Sequence, residues 1–511
     1  MKIVIIGAGP AGLSCAHHYL KNNKKDEVIL LEESDCVGGI SKTISYHENK
    51  MDLGGHRFFT KNQEVLKLWF DILPLQGKPA FDDKLLGSKK NYDGVLDPEK
   101  IDEVMLVRNR VSRIYYQKKL FDYPVNFTFH TIRKMGLITT IKCGFSYLKA
   151  LLFKKKEKNL EDFYINRFGK QLYEMFFKGY TAKLWGRTPS EIDSSWGSQR
   201  VKGISIRKVL LDYYKRLFHV KNKNREVSLT DYFYYPKYGP GEFYEEMAKR
   251  IIKMGGTILL QSKVTKIKRD SNHIKEVVYL NQNKRHTLSC DVLVSSMPMK
   301  DLLEIMNQVP KEVLQVAKNL PYRDFITIGV LVDHLDIKND RNNNTIHHNI
   351  SDNWIYIQDT TVKVGRIQIF NNWSPYLVKD PIHTIWIGME YFCNEGDSFW
   401  NLEDYQLKKI ASEELEKIDF FHGKVMNMKV IRVKKAYPAY YDSYHNISMV
   451  KEFIEGISNL YCIGRNGTHS YNNMDHSILS GMIASHLIQT HSHDLSKLWN
   501  VNVDKTYQEE K

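Results

Sequence analysis

Apolar positions open the chain as a run from Ile3 to Ile6, meet a glycine-rich turn, and continue in helical spacing, a pattern that predicts a strand, a turn and a helix. A second apolar run, Val28 to Leu31, predicts a strand that ends in Glu32. The segment from Pro79 to Glu103 is polar and turn-rich and reads as a surface insertion, and from Phe121 to Leu211 aromatic and basic residues dominate helical-looking stretches. Beyond these, YYPKYGPGEFYEEMAKRI opens a helix after a Gly-Pro-Gly turn, GGTILLQSKVTKIKRD alternates like strands, and DVLVSSMP adds another strand. Alternation between Phe325 and Tyr391 predicts a mixed sheet. The string LYCIGRNGTHSYNNMDHSILSGMIASHLI predicts a strand, a polar loop and a closing helix. No internal repeat or low-complexity tract interrupts this order, which favours a compact α/β chain over a solenoid.

Composition narrows the class. A chain of 511 residues with 42% hydrophobic content can build a large core and predicts two or three domains that need not be contiguous. No apolar run reaches membrane-spanning length and the first run is too short for a signal peptide, so a cytoplasmic location is expected. Six cysteines lie scattered without a C-x-x-C pair, which points to neither a zinc site nor a disulfide framework. The net charge of +15 predicts an anionic partner, and no nucleic-acid-binding pattern accompanies it. The basic run Lys154 to Lys158 follows the mixed apolar stretch Met135 to Phe153; it could meet a membrane surface or simply be a solvated helix end.

Chemistry enters at the first turn. Gly7 permits the tight turn, Gly9 lets the backbone approach a pyrophosphate, and Gly12 lets helix and strand pack closely. Glu32, twenty residues after Gly12, is placed to accept hydrogen bonds from a ribose hydroxyl. A dinucleotide ligand follows from strand, glycines, helix, strand and acid in that order.

Two further glycine pairs, Gly38 with Gly39 and Gly54 with Gly55 ahead of His56, lie in CVGGISKTISYHENKMDLGGHRFF. Together with the first turn they resemble the FAD-binding N-terminus of the amine oxidase, protoporphyrinogen oxidase and UDP-galactopyranose mutase superfamily. The resemblance implies a discontinuous Rossmann-like FAD-binding domain in residues 1–75, 236–300 and 451–511. A mainly helical substrate domain with an insertion then occupies 76–235, and a mixed-sheet substrate domain 301–450. It further implies that the first pair lies near the pyrophosphate, that the second brings backbone close to the flavin, and that Val264 makes a backbone contact to the adenine. For Gly54 and Gly55 a plain hairpin turn is the alternative.

Three later strings resemble UDP-galactopyranose mutases. GRNGTHSYNNMDHS matches a loop that closes the flavin site, so the resemblance implies cofactor roles for Gly464, Arg465, Asn473 and Asp475 and a phosphate-binding role for Tyr471; a helix N-cap cluster is the other reading of Asp475 and its neighbours. KLWGRTPSEIDSSWGSQRVKG maps a uridine-side Trp185 and a diphosphate Arg200. NWIYIQDTTVKVGRIQIFNNWSPY maps Tyr356, ten residues before a second diphosphate arginine, Arg366. Tyr123 in FDYPVNF matches a further substrate tyrosine. Forked guanidinium donors and phenols suit a diphosphate.

The chemistry so implied is an isomerase reaction that interconverts pyranose and furanose forms of a nucleotide-linked sugar for surface glycan synthesis, through an adduct of the sugar with reduced FAD. Arg200 and Arg366 hold the diphosphate, His56 lies beside the flavin, and NAD(P)H is a candidate reductant. The shared N-terminus equally serves a true oxidoreductase of the amine oxidase or protoporphyrinogen oxidase kind. Departures from the mutase pattern at Asn126 and Thr181 leave the sugar and the base open.

Overall fold

The computed structural model describes residues 1–88, 90–123, 125, 129–194, 232–337, 345–346 and 349–501. The strands Lys2–Ile6 and Glu27–Leu31 lie side by side and parallel, with Ile3 against Val28 and Ile5 against Leu30. They form the centre of a five-stranded sheet in the order Leu460–Cys462, Val292–Ser295, Lys2–Ile6, Glu27–Leu31, Thr257–Leu259, every pairing parallel. Parallel strands are covered on both faces, which is why these read as continuous apolar runs rather than alternating ones. The strands come from the beginning, middle and end of the chain, so the Rossmann-like unit is discontinuous. Helix Pro10–Asn22 packs beside the closing helix Met474–Gln489. Their approach is close enough that a Cβ on Gly481 would stand 2.3 Å from the Ala11 carbonyl oxygen.

A three-stranded antiparallel sheet, Ser262–Asp270, His273–Asn281 and Lys284–Ser289, lies in the chain between the parallel strands Thr257–Leu259 and Val292–Ser295. A seven-stranded mixed sheet forms the second large layer, in the order Asn427–Pro438, Tyr322–Val332, Ile385–Cys393, Arg366–Ile369, Trp354–Ile357, Ser112–Tyr116, Lys119–Asp122. It extends on both sides of the span whose alternation announced it. On one edge Ser112–Tyr116 joins parallel to Trp354–Ile357, with Ile114 beside Tyr356. The central residues of Ser112–Tyr116 are buried on both faces, so no alternation marks the strand in the sequence.

Helices Leu137–Leu152, Leu160–Phe168 and Gly179–Trp185 stack into a layer whose core is aromatic: Phe163, Tyr164, Tyr173 and Phe176 are buried together with Trp185. Partly buried Tyr356 and Tyr471 pack against the same cluster, so this layer abuts one side of the mixed sheet where the candidate site lies.

Candidate active site

The first turn is built as its glycines demand. Gly7 has φ +96° and donates its N–H to Leu31 O at 2.8 Å, and a Cβ there would stand 2.2 Å from Ser296 Oγ. A Cβ on Gly12 would stand 1.9 Å from Gly7 O, so the helix is seated on the turn by backbone contact. Gly9 is extended, with φ −80° and ψ −174°, and faces Gly39: its Cβ would meet nothing nearer than Gly39 Cα at 3.7 Å. Gly38, at φ +100°, donates to Ala8 O at 2.9 Å and ties the second glycine turn to the first. Gly464, at φ +71°, closes the far side, where its Cβ would lie 2.9 Å from Ala11 Cβ.

Glu32 is buried at the end of its strand. One carboxylate oxygen accepts the Ala8 N–H at 2.8 Å and the other accepts Ser34 N–H and Oγ at 2.9 and 2.7 Å. Its carbonyl accepts the Ser262 N–H at 2.7 Å, which sets Val264 two residues further along the neighbouring strand. Gly7, Gly9, Gly12, Gly38, Gly39 and Gly464 thus surround the N-terminus of helix Pro10–Asn22 with Glu32 bonded to the Ala8 N–H beside them, a bare-backbone end with the polarity to hold an anion, while Val264 lies further along its own strand.

The GGH stretch leads from this cradle to the mixed sheet. Gly54 has φ +99°, and a Cβ on Gly55 would stand 1.9 Å from the ring of Trp354. His56 is buried, and its Nδ1 has no hydrogen-bond partner among the described residues. Burial lowers its pKa to about 3, and the charges of Arg465 and Arg366 add to the effect, so the ring is a neutral imidazole at physiological pH.

Arg366 and Tyr356 face each other across a hairpin, because the ten-residue spacing spans two antiparallel strands and their turn. Lys183 ties that hairpin to the helical layer, its ammonium donating to Ile357 O, Asp359 O and Val364 O at 3.1, 2.6 and 2.9 Å. Arg366 is buried, forms an ion pair with fully buried Glu390, and donates to Tyr437 Oη at 2.5 Å. Gln368 donates to the other Glu390 oxygen at 2.9 Å. Burial raises the Glu390 carboxyl while Arg366 pulls it back. The guanidinium lies 4.7 Å from the Trp354 ring centroid and 4.8 Å from that of Phe392, a desolvated cation between aromatic faces.

Phenols complete the wall. Tyr356 lies 4.8 Å from Tyr123 and 5.1 Å from Tyr180 between ring centroids, and Tyr437 stacks on Tyr471 at 6.0 Å. Arg465 sits 4.8 Å from the Tyr471 ring and spends its donors on Asn472 O, at 3.0 and 2.7 Å, and Ala436 O, at 2.9 Å, fastening the closing loop to the mixed sheet. Asn473 caps helix Met474–Gln489 in a capping box with His476. Asp475 is buried in the first turn of that helix, and its Oδ1 finds no hydrogen-bond donor among the described residues.

The structure therefore brings His56, Tyr123, Tyr356, Arg366, Arg465 and Tyr471 into one neighbourhood linked through Trp354 and Tyr437. Trp185 ends helix Gly179–Trp185 at 2% exposure, its indole within the aromatic core. Arg200 lies outside the described residues. The sequence did not point to Trp354, Gln368, Glu390 or Tyr437. A lone carboxylate inside the apolar string IWIGMEYF marks Glu390, whereas Tyr437 falls in no motif.

Comparison with known proteins places this geometry. The model of the flavin containing amine oxidoreductase family matches residues 10–362. A "Probable UDP-galactopyranose mutase" of Klebsiella pneumoniae is 28% identical over 203 residues, 38% of this chain and 43% of its own length, so the match spans less than half of that relative. The crystal structure of a reduced UDP-galactopyranose mutase superposes with a TM-score of 0.77 at 18% identity, over 99% of both chains. A redesigned putrescine oxidase superposes with 0.61 at 13% identity, over 96% of this chain and 99% of its own. The family implies FAD, and the residues fit it: the facing glycine turns leave backbone without side chains where a pyrophosphate needs close approach, and His56 Nδ1 and Asp475 Oδ1 are buried polar atoms with no hydrogen bond among the described residues, the latter 3.5 Å from His476 Nδ1. With its glycine cradle, the acid at the end of the second strand and a family match over residues 10–362, the chain belongs to the flavin containing amine oxidoreductases.

Proposed function

We propose that the protein is a flavin-dependent mutase that interconverts the pyranose and furanose forms of a nucleotide-linked sugar, as the name of its Klebsiella relative suggests. The observation that carries this reading is the cluster of Arg366, Tyr437, Tyr471 and Arg465 beside a neutral His56, with Tyr356 and Tyr123 on its flank. Guanidiniums and phenols in a buried setting suit a diphosphate and offer nothing specific to an apolar porphyrin-like substrate or a cationic amine.

In this reading residues 1–75, 236–300 and 451–511 hold the cofactor, and 76–235 and 301–450 supply the substrate side. Bound there, reduced FAD, with NAD(P)H as candidate reductant, would supply a nucleophile toward the anomeric carbon. Arg366, joined by Arg200 on the strength of the family resemblance, holds the departing diphosphate and stabilises its charge where water is scarce. Tyr356, Tyr123 and Tyr471 orient the phosphates by short phenolic hydrogen bonds. His56, uncharged, keeps a polar but neutral ring beside the flavin, which avoids a third positive charge against Arg366 and Arg465.

The test incubates the purified yellow protein, chemically reduced and separately oxidised, with UDP-galactopyranose and a panel of nucleotide sugars, and resolves products by anion-exchange chromatography. A ring isomer formed only with reduced flavin, and abolished by Arg366→Ala, is the expected result. If no sugar nucleotide is isomerised in either state, the diphosphate roles are wrong and an oxidase acting on another substrate takes their place.

A further inference from the structure

Helix Leu137–Leu152 is turned inside out. The residues it packs inward are small or polar, with Cys143 and Ala150 buried against helices Leu160–Phe168 and Lys170–Tyr173. Its outward stripe is Leu137, Ile141, Phe145, Leu148 and Leu152, with Ile138 beside them, each between 49% and 77% exposed. Steps of four, four, three and four residues put those five side chains on one face along about 24 Å of helix. Phe129 and Phe153 extend the apolar surface at either end, at 78% and 71% exposure. Such a continuous patch on a water-facing helix calls for a partner.

Charge says which partner. From Tyr123 to Lys156 the chain carries seven lysines and arginines and no acid in 34 residues. Lys142 and Lys149, each one position after a stripe residue, are exposed along one edge of the apolar face, and exposed Lys154, Lys155 and Lys156 follow its C-terminal end. Lysines at the border of an apolar stripe lay their stems along it and keep the ammonium at headgroup level. No helix among the described residues is long and apolar enough to cross a membrane, so this one can only lie on a surface. A second copy docked on the same face by a two-fold axis would set lysine against lysine with no carboxylate in the stretch to offset them.

We propose that helix Leu137–Leu152 docks the protein on an anionic lipid bilayer, the stripe of Leu137, Ile141, Phe145, Leu148 and Leu152 entering the interface and the flanking lysines meeting the headgroups. This goes beyond the mutase reading and does not depend on it. Through Cys143 and Tyr147 the helix packs on the aromatic core that also receives Tyr356 and contains Trp185, so the docked layer is continuous with the candidate substrate side.

The test is flotation of the full-length, flavin-loaded protein with vesicles of phosphatidylcholine alone and of phosphatidylcholine containing one quarter phosphatidylglycerol. The protein floats with the anionic vesicles at low salt and stays behind with the neutral ones. Lys142→Gln and Lys149→Gln each lower partition about five-fold. The double variant Phe145→Asp, Leu148→Asp abolishes it while flavin absorbance and melting temperature stay unchanged, because both side chains are more than half exposed. Equal flotation with neutral and anionic vesicles overturns the electrostatic half of the proposal. No flotation overturns it entirely. Sedimentation equilibrium then tests the competing occupant: a dimer split by the double variant means that a second copy, not a bilayer, covers the face.

Discussion

Two glycines three residues apart in the first turn give opposite expectations on substitution. A Cβ on Gly12 would stand 1.9 Å from Gly7 O, 3.1 Å from Gly7 C and 3.3 Å from Ile5 Cγ2. A carbon–oxygen contact needs about 3.2 Å, and the obstacle is backbone that cannot rotate away, so Gly12→Ala must lift the helix off the strand at about 3 kcal/mol. At Gly9 the nearest atom to an added Cβ is 3.7 Å away and the backbone is already in a region open to alanine. Losing glycine as the N-cap costs a few tenths to about 1 kcal/mol, and the smaller entropy of the unfolded alanine chain returns a similar amount. Gly9→Ala apoprotein should therefore unfold in urea within about 1 kcal/mol of the wild type. Its added methyl nonetheless stands where a pyrophosphate must approach the backbone. Loss of one charge-assisted hydrogen bond weakens FAD roughly 10- to 150-fold. The measurement is flavin fluorescence titration of apoprotein alongside denaturation of the same preparation. If Gly9→Ala binds FAD as tightly as the wild type while folding normally, the pyrophosphate does not lie against this turn.

Other expectations follow from single contacts. Glu390→Gln leaves the buried Arg366 guanidinium without its counter-charge and should lower unfolding free energy by about 3 kcal/mol in urea titration; added UDP should raise the melting temperature more in the variant than in the wild type, and equal shifts would count against Arg366 as a phosphate ligand. Lys183→Met removes the donor from three hairpin carbonyls and should cost about 2–4 kcal/mol with loss of kcat/KM for whatever substrate is established; full activity would show that the hairpin holds without it. His56, held near 3 against an unfolded value of 6.5, keeps the folded protein unprotonated while the unfolded chain gains a proton, so its contribution falls as pH drops from about 6.5 towards 3, by about 2 kcal/mol at pH 5. His56→Gln should flatten the stability profile by that amount between pH 7 and 5, and an unchanged slope would mean that the ring is solvated and charged.

Much of the first layer was legible because each residue there answers to backbone geometry. Gly7 sits at positive φ, Gly12 admits no Cβ, and Glu32 follows a strand, so local spacing announces them, whereas Gly38, also at positive φ, entered through the family resemblance. Arg366 and Tyr356 entered through the resemblance to a mutase string rather than through local periodicity, and the hairpin that pairs them accounts for their ten-residue separation. Glu390 and Tyr437 were not, since each meets Arg366 only through strand order: Glu390 lies opposite Arg366 across one ladder, and Tyr437 comes from the far edge of the same sheet. Neither pairing leaves a trace in local periodicity. The helix Leu137–Leu152 shows the converse: the sequence reads only as a mixed apolar stretch, and the packing of its neighbours is what reveals a stripe turned outward to solvent.

The ion pair of Arg366 with Glu390 also bears on which ligands the site can admit. A guanidinium buried with no counter-ion would cost several kcal/mol, so the carboxylate is what allows the arginine to stand in a buried, aromatic wall. Glu390 is held by Gln368 as well and can stay in place, while Arg366 Nε has no partner among the described residues. Arg465 meets neutral carbonyls alone, and His56 carries no charge, so these four groups sum to one positive charge. An ammonium at about 4 Å from an uncompensated guanidinium is repelled by about 4 kcal/mol at an effective dielectric near 20, and an anion at that distance is attracted by as much. An amine substrate would enter this wall against its charge and a diphosphate along with it. Replacing Arg465 by an uncharged residue that preserves the loop should therefore weaken UDP binding and leave neutral ligands unaffected, which separates a charge-reading site from one that merely has room.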